Sequence, residues 1–167
     1  MSRIHKLDER LLPTMCDDTP LERISCTKLL GVYIDQHLAW GDQVDNLLPS
    51  CYGILKLLRQ LKNLAPFHVR KTLAVNLLLA KIDYACTVFH PLPQYQLKQL
   101  QLLQNACAGF VLRKLAKMED LECLNWLPIT GRIEFNLLKL THKALYNEYL
   151  SLLSYLSFVF YKMATVV

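Results

Sequence analysis

Turn-forming residues are scarce in this chain, with five glycines and seven prolines among 167 residues. That scarcity argues against a turn-rich sandwich or barrel and for long helices. No two cysteines stand close enough for a zinc knuckle: Cys16, Cys26, Cys51, Cys86, Cys107 and Cys123 are 10 to 35 residues apart. The five histidines complete no metal pattern either. A glycine-rich phosphate loop, an HExxH and a GxSxG are all missing, so no metal and no cofactor is expected. His68, His90 and His142 stand alone and read as surface or capping residues. The N-terminal MSRIHKLDERLLP lacks the apolar run of a secretion signal. The cysteines therefore read as reduced, small core residues of an intracellular protein, cytoplasmic or nuclear.

What is present is apolar surface enough for one folded core. Apolar residues make up 53% of the chain and charged residues 20%, a folding composition and not a disordered one. The net charge of +5 is unevenly spread. Residues 41–117 hold ten Lys/Arg against three Asp/Glu, whereas the segments before and after are each net −1. A basic block of this kind marks either a surface that meets phosphate or a solvated helix face.

The expected fold class is mainly α: a short N-terminal β-hairpin, then an antiparallel bundle of about four or five helices. Residues 1–20, with Pro13 and Pro20, read as irregular or as one helical turn. LERIS and TKLLGVYID read as two short strands, with Gly31 marking a bulge or a close backbone approach. Val44, Leu48, Cys51, Leu55 and Leu58 then step by four and three along one helical face. Pro49 inside that run predicts a kink or a restart, with Ser50 as N-cap. A second helix is predicted to open at Pro66 and run to about Phe89, with Arg70 and Lys71 in its first turn opposing the helix dipole. A third, from about Gln94 to Leu115, carries Leu97, Leu100, Gln104, Cys107 and Val111 on one stripe and ends in Arg113, Lys114 and Lys117. MEDLECLNWLPI reads as a short helix with Trp126 as a core anchor. The last helix carries Ile133, Leu137, Leu140 and Ala144. The chain thus divides into 1–40 (irregular segment plus hairpin), 41–147 (helical bundle) and 148–167 (apolar tail). The tail holds no charge from Tyr149 to Tyr161, a run short of a bilayer span, and is expected either to dock on the helices or to act as a marginal membrane anchor.

At TKLLGVYIDQHLAW the sequence resembles the end of the polymerase region in non-LTR (LINE-type) retrotransposon reverse transcriptases, where a K-x-LGV-x-(I/L)D-x-x-L-x-W strand and turn lead from palm to thumb. Lys28, Leu30, Gly31, Val32, Ile34, Asp35, Leu38 and Trp40 match it. Further patches keep the family's order. KIDYACTVF is similar through Ile82, Asp83, Tyr84, Ala85 and Val88. LQLLQNACAGFV is similar through Leu100, Gln101, Gln104, Asn105, Ala108 and Val111. LNWLPITGRIEFNLLKLTHKALY is similar through Trp126, Leu127, Pro128, Arg132, Ile133, Phe135 and Lys143. The likeness spans roughly residues 20–153. The chain departs from the family at Gln43, where a histidine is usual, at Gly109, where an arginine is usual, and in its apolar tail.

The resemblance implies the thumb and C-terminal region of an RNA-directed DNA polymerase, detached from its palm. Such a thumb holds the template–primer duplex by its backbone without reading sequence. The residues expected to meet nucleic acid are Lys56, Arg59, Arg70, Lys71, Arg113, Lys114 and Lys117. The Asp17-Asp18 pair has a superficial likeness to the family's catalytic aspartates. Met15 stands where an aromatic should, however, and TPLER cannot supply the buried strand that fixes such carboxylates over two metals. A solvated turn and no polymerase activity are therefore expected. The alternative readings are a helical protein-interaction module and a tail-anchored membrane protein, neither with a nucleic-acid role.

Overall fold

Apolar residues recurring every three or four positions build the observed fold, which is mainly α: an N-terminal antiparallel hairpin followed by helices. The computed structural model describes residues 15–16, 19–20, 24–38, 40–88 and 90–146. Strand β1 (Met15–Cys16) pairs antiparallel with β2 (Thr19–Pro20), where the sequence had suggested irregular chain or a helical turn. Asp17 and Asp18 themselves, like the C-terminal tail, lie outside the described residues.

The main hairpin joins β3 (Cys26–Leu29) to β4 (Val32–Asp35) in the register Leu29↔Val32 and Cys26↔Asp35. Both strands therefore come from CTKLLGVYID, and LERIS is not the partner. Gly31 is not a bulge but half of a two-residue turn, with φ of 48° at Leu30 and 85° at Gly31. Positive φ at both central residues matches the right-handed twist of the strands and demands glycine at the second. The close approach is real: the Tyr84 hydroxyl donates to the Leu30 carbonyl at 2.6 Å, with its ring against Gly31. Asp35 ends the hairpin by accepting from the backbone N–H groups of His37 (2.8 Å) and Trp40 (3.0 Å).

Helix α1 (Gly41–Gln60) is continuous through the exposed Pro49. There is no restart, and Ser50 Oγ accepts from Lys81 Nζ at 2.7 Å instead of capping. Its seam of Val44, Cys51, Leu55 and Leu58 is buried, with Leu48 half-buried. Helix α2 (Phe67–Ala74) passes without a break into a π-helical turn (Val75–Leu79) and then α3 (Ala80–Asp83). The run stops at Tyr84, which is extended, and Ala85, at φ 55°, so it is shorter than the apolar pattern suggested. Helix α4 (Gln94–Leu112) ends where Arg113 turns left-handed. Leu100, Gln104, Cys107 and Val111 on its predicted stripe are buried. Short α5 (Asp120–Cys123) and α6 (Ile129–Tyr146) follow.

Helix α4 is the hub, packed by α1, α2, α5 and α6. Trp126 is buried in the core. Cys51, Cys86 and Cys107 are buried as expected, but Cys26 is only half-buried and Cys123 is exposed. Burial pushes the Cys107 thiol up to about 12, so it stays protonated and unreactive at neutral pH.

Polar ties join the elements. Arg132 forks onto Asp83, with Nε to Oδ1 at 3.0 Å and NH2 to Oδ2, a bidentate ion pair that joins α6 to α3. Gln101 donates to Gln104 and Asn105 (both 2.9 Å) and accepts from the Ile129 N–H at 2.9 Å. Gln104 donates to the Leu127 carbonyl at 2.8 Å. Gln43 Oε1 accepts from the Tyr33 N–H at 2.9 Å, which ties the hairpin to α1. These side chains hold elements together, and the carbonyls and amides they satisfy would otherwise be costly to bury.

Candidate nucleic-acid interface

The end of α1, the start of α2 and the end of α4 gather on one edge, and two arginines pin them there. Arg70 is buried at 5% exposure. It donates Nε and NH2 to the Val111 carbonyl (3.0 and 2.8 Å) and NH1 to the Ala65 carbonyl (2.6 Å). Val111 lies in the last turn of α4, where carbonyls lack intrahelical partners and the dipole favours a cation. Arg113 donates Nε to Lys62 O at 3.0 Å and NH2 to Ala65 O at 3.3 Å and Asn63 O at 3.4 Å. Burial, and then the neighbouring Arg113, pull the Arg70 pKa below its ordinary value; a guanidinium starts so high that it keeps its charge.

The seven basic residues expected to meet nucleic acid do not all stand together. Arg70 is withdrawn from solvent and its donors are spent on carbonyls; Arg113, though exposed, is a clamp on the loop after α1. Lys71 is half-buried on α2, and Lys56 is exposed on α1 one turn before Arg59. The remaining three do meet. Arg59, Lys114 and Lys117 line one open groove of about 570 Å³, together with Lys62. Lys62 was missed because it lies just past the end of α1, beyond the helical face that drew attention to Lys56 and Arg59.

The rest of the groove lining is largely apolar, from Leu102, Ala106 and Phe110 of α4 and from Leu115 and Ala116 of the loop that folds back over it. Gly109 makes that fold-back possible. A Cβ there would stand 2.8 Å from the Lys114 carbonyl oxygen, closer than van der Waals contact allows. Alanine would gain up to ~1 kcal/mol in helix propensity, but overpacking costs about 1–3 kcal/mol. Gly109→Ala is therefore expected to lower the melting temperature and to displace the loop that carries Lys114 and Lys117. A thermal melt equal to or above that of the parent protein would show that the loop yields freely.

One acidic residue shapes the rim. Asp120 pairs with Lys114 and accepts from the Lys117 N–H at 2.8 Å. The Lys114 hydrogen bond, then the Lys117 amide, hold the Asp120 carboxyl below the usual range. Its contribution is present at neutral pH and is lost as pH falls through that depressed value. Arg59, Lys62 and Lys117 enter no ion pair among the described residues.

Comparison with family models, with curated proteins and with solved structures finds no match. The groove must be interpreted on its own chemistry. Three cations in no ion pair among the described residues and a fourth shared with one carboxylate, set around an open trough, present a positive potential to a polyanion. No helix among the described residues is long and apolar enough to cross a membrane.

Proposed function

We propose that this chain is a thumb-like module that holds a nucleic-acid duplex by its backbone and does not polymerise. The observation that carries the reading is the basic groove where the ends of α1 and α4 converge, rimmed by Arg59, Lys62, Lys114 and Lys117. The resemblance of the surrounding patches to retrotransposon reverse transcriptases supports the same role. Lysines act on phosphate as point charges, so such contact positions a duplex without reading its sequence.

The test is a salt titration of RNA–DNA duplex binding by fluorescence anisotropy. Neutralising three or four phosphates gives a log–log slope of roughly −3 to −4. Lys62→Gln and Lys117→Gln are each expected to reduce that slope by about one unit, equally for unrelated sequences. Lys139→Gln with Lys143→Gln, on the net-acidic C-terminal segment, is expected to leave it unchanged. Equal losses from both pairs would mean that binding follows net charge alone, and no binding at low salt would remove the proposal. Primer extension with magnesium or manganese is expected to stay at background.

A further inference from the structure

Helix α6 carries two apolar stripes, and only one of them faces the core. Ile129, Ile133 and Ala144 are buried. At about 100° per residue, Phe135, Leu138, His142 and Leu145 lie on the opposite side, and all four are exposed, Leu138 at 68%. These four step by three, four and three, the spacing of a coiled-coil seam. The sequence keeps that spacing at Tyr149, Leu152, Leu156 and Val159, which lie outside the described residues.

We infer that α6 pairs in parallel with α6 of a second copy of this chain, through Phe135, Leu138, His142 and Leu145. The flanking charges select the partner and its direction. Glu134 immediately precedes the first seam position and Lys139 immediately follows the second. In a parallel two-fold pair, each Glu134 faces the partner's Lys139, so both contacts attract. In an antiparallel pair Glu134 and Lys139 flank opposite sides of the seam and do not meet, so neither charge is matched by the other. Neither residue is in an ion pair among the described residues, so both are available. His142 supplies the single polar seam position that fixes register at some cost in stability. Its ring rests against Tyr146 with centroids 4.6 Å apart. This surface lies on a different helix from the basic groove, and the inference does not depend on the nucleic-acid reading.

The test is analytical ultracentrifugation of the full chain across micromolar concentrations. A dimer is expected, and Leu138→Glu with Leu145→Glu is expected to make it monomeric with unchanged helical circular dichroism, because both side chains are already exposed. Glu134→Lys alone and Lys139→Glu alone are each expected to weaken the dimer by roughly tenfold. The two changes together are expected to restore it. A monomer throughout, as when the chain's own C-terminal segment covers the stripe, would overturn the inference. So would a dimer that survives Leu138→Glu with Leu145→Glu. Failure of the double charge reversal to restore the dimer would reject the parallel arrangement.

Discussion

Truncating Arg70 to alanine will lower the unfolding free energy by roughly 3–5 kcal/mol. The side chain is buried and gives three hydrogen bonds to carbonyls of two separate segments. Its loss strands the Val111 carbonyl at the buried end of α4, weakens the hold on Ala65, and leaves a cavity. Bonds from a charged donor contribute more than neutral ones, and an unpartnered buried acceptor costs about 1–3 kcal/mol. Arg70→Lys should recover only part of the loss, because an ammonium cannot reproduce the planar fork that reaches both carbonyls. Lys71→Ala, at the next position and without such bonds among the described residues, should stay within about 0.5 kcal/mol of the parent. Denaturant unfolding of the three variants separates the roles. If Arg70→Ala and Lys71→Ala shift the midpoint alike, Arg70 is not a structural clamp.

Trp126→Ala is expected to cost about 3–5 kcal/mol, in the range of large aromatic truncations in cores. Trp126 is 7% exposed and belongs to the main core cluster. Its N–H closes a turn onto the Leu121 carbonyl at 2.9 Å, so the backbone that presents the ring is itself fixed. Leu127 and Ile129, just after it, carry the ties to α4, since Leu127 O receives Gln104 and the Ile129 N–H reaches Gln101. Loss of the indole should therefore loosen the attachment of α6 as well as empty a cavity. Hydrogen exchange resolves the two: amides of α6 should lose protection more than those of α1. Uniform loss of protection would mean that the tryptophan contributes bulk alone.

The helices were legible because their apolar residues recur at the helical period, and α1 and α4 bury most of the residues that this period selects, with Leu48 and Leu97 half-buried. The hairpin was legible as an element but not in its pairing. Its turn uses Leu30 at positive φ before Gly31, and leucine carries none of the asparagine or aspartate signal that marks such turns. The burial of Arg70 could not be read from sequence, because its partner is a main-chain carbonyl 41 positions away, and a carbonyl leaves no mark on residue identity. The stripe on α6 was legible only as a period. Leu137 and Leu140, placed with Ile133 and Ala144, stay 39% and 41% exposed, because spacing alone does not say how deeply a face is covered. Around the groove, charge counting found Arg59, Lys114 and Lys117 together with four cations that do not line it, since composition does not separate a cation facing solvent from one holding a loop.

The π turn between α2 and α3 sets the phase of everything after it. Arg70, Ala74, Leu78 and Ile82 are all buried at strict intervals of four. In a regular helix, four residues overshoot a full turn by about 40°, so the row would swing by roughly 120° from Arg70 to Ile82. Bonds from i to i+5 over Val75–Leu79 underwind the chain and absorb part of that swing. Arg70 can then grip the end of α4 while Asp83, next to Ile82, meets Arg132 at the other end of the same rod. The bulge works as an insertion tuned to the distance between two clamps. Deleting a single residue within it would leave a smoother helix whose far half is turned by about 100°, with Asp83 carried away from α6. Length is therefore more constrained than identity in this stretch: swaps among its aliphatic side chains are tolerable where the loss of one peptide unit is not.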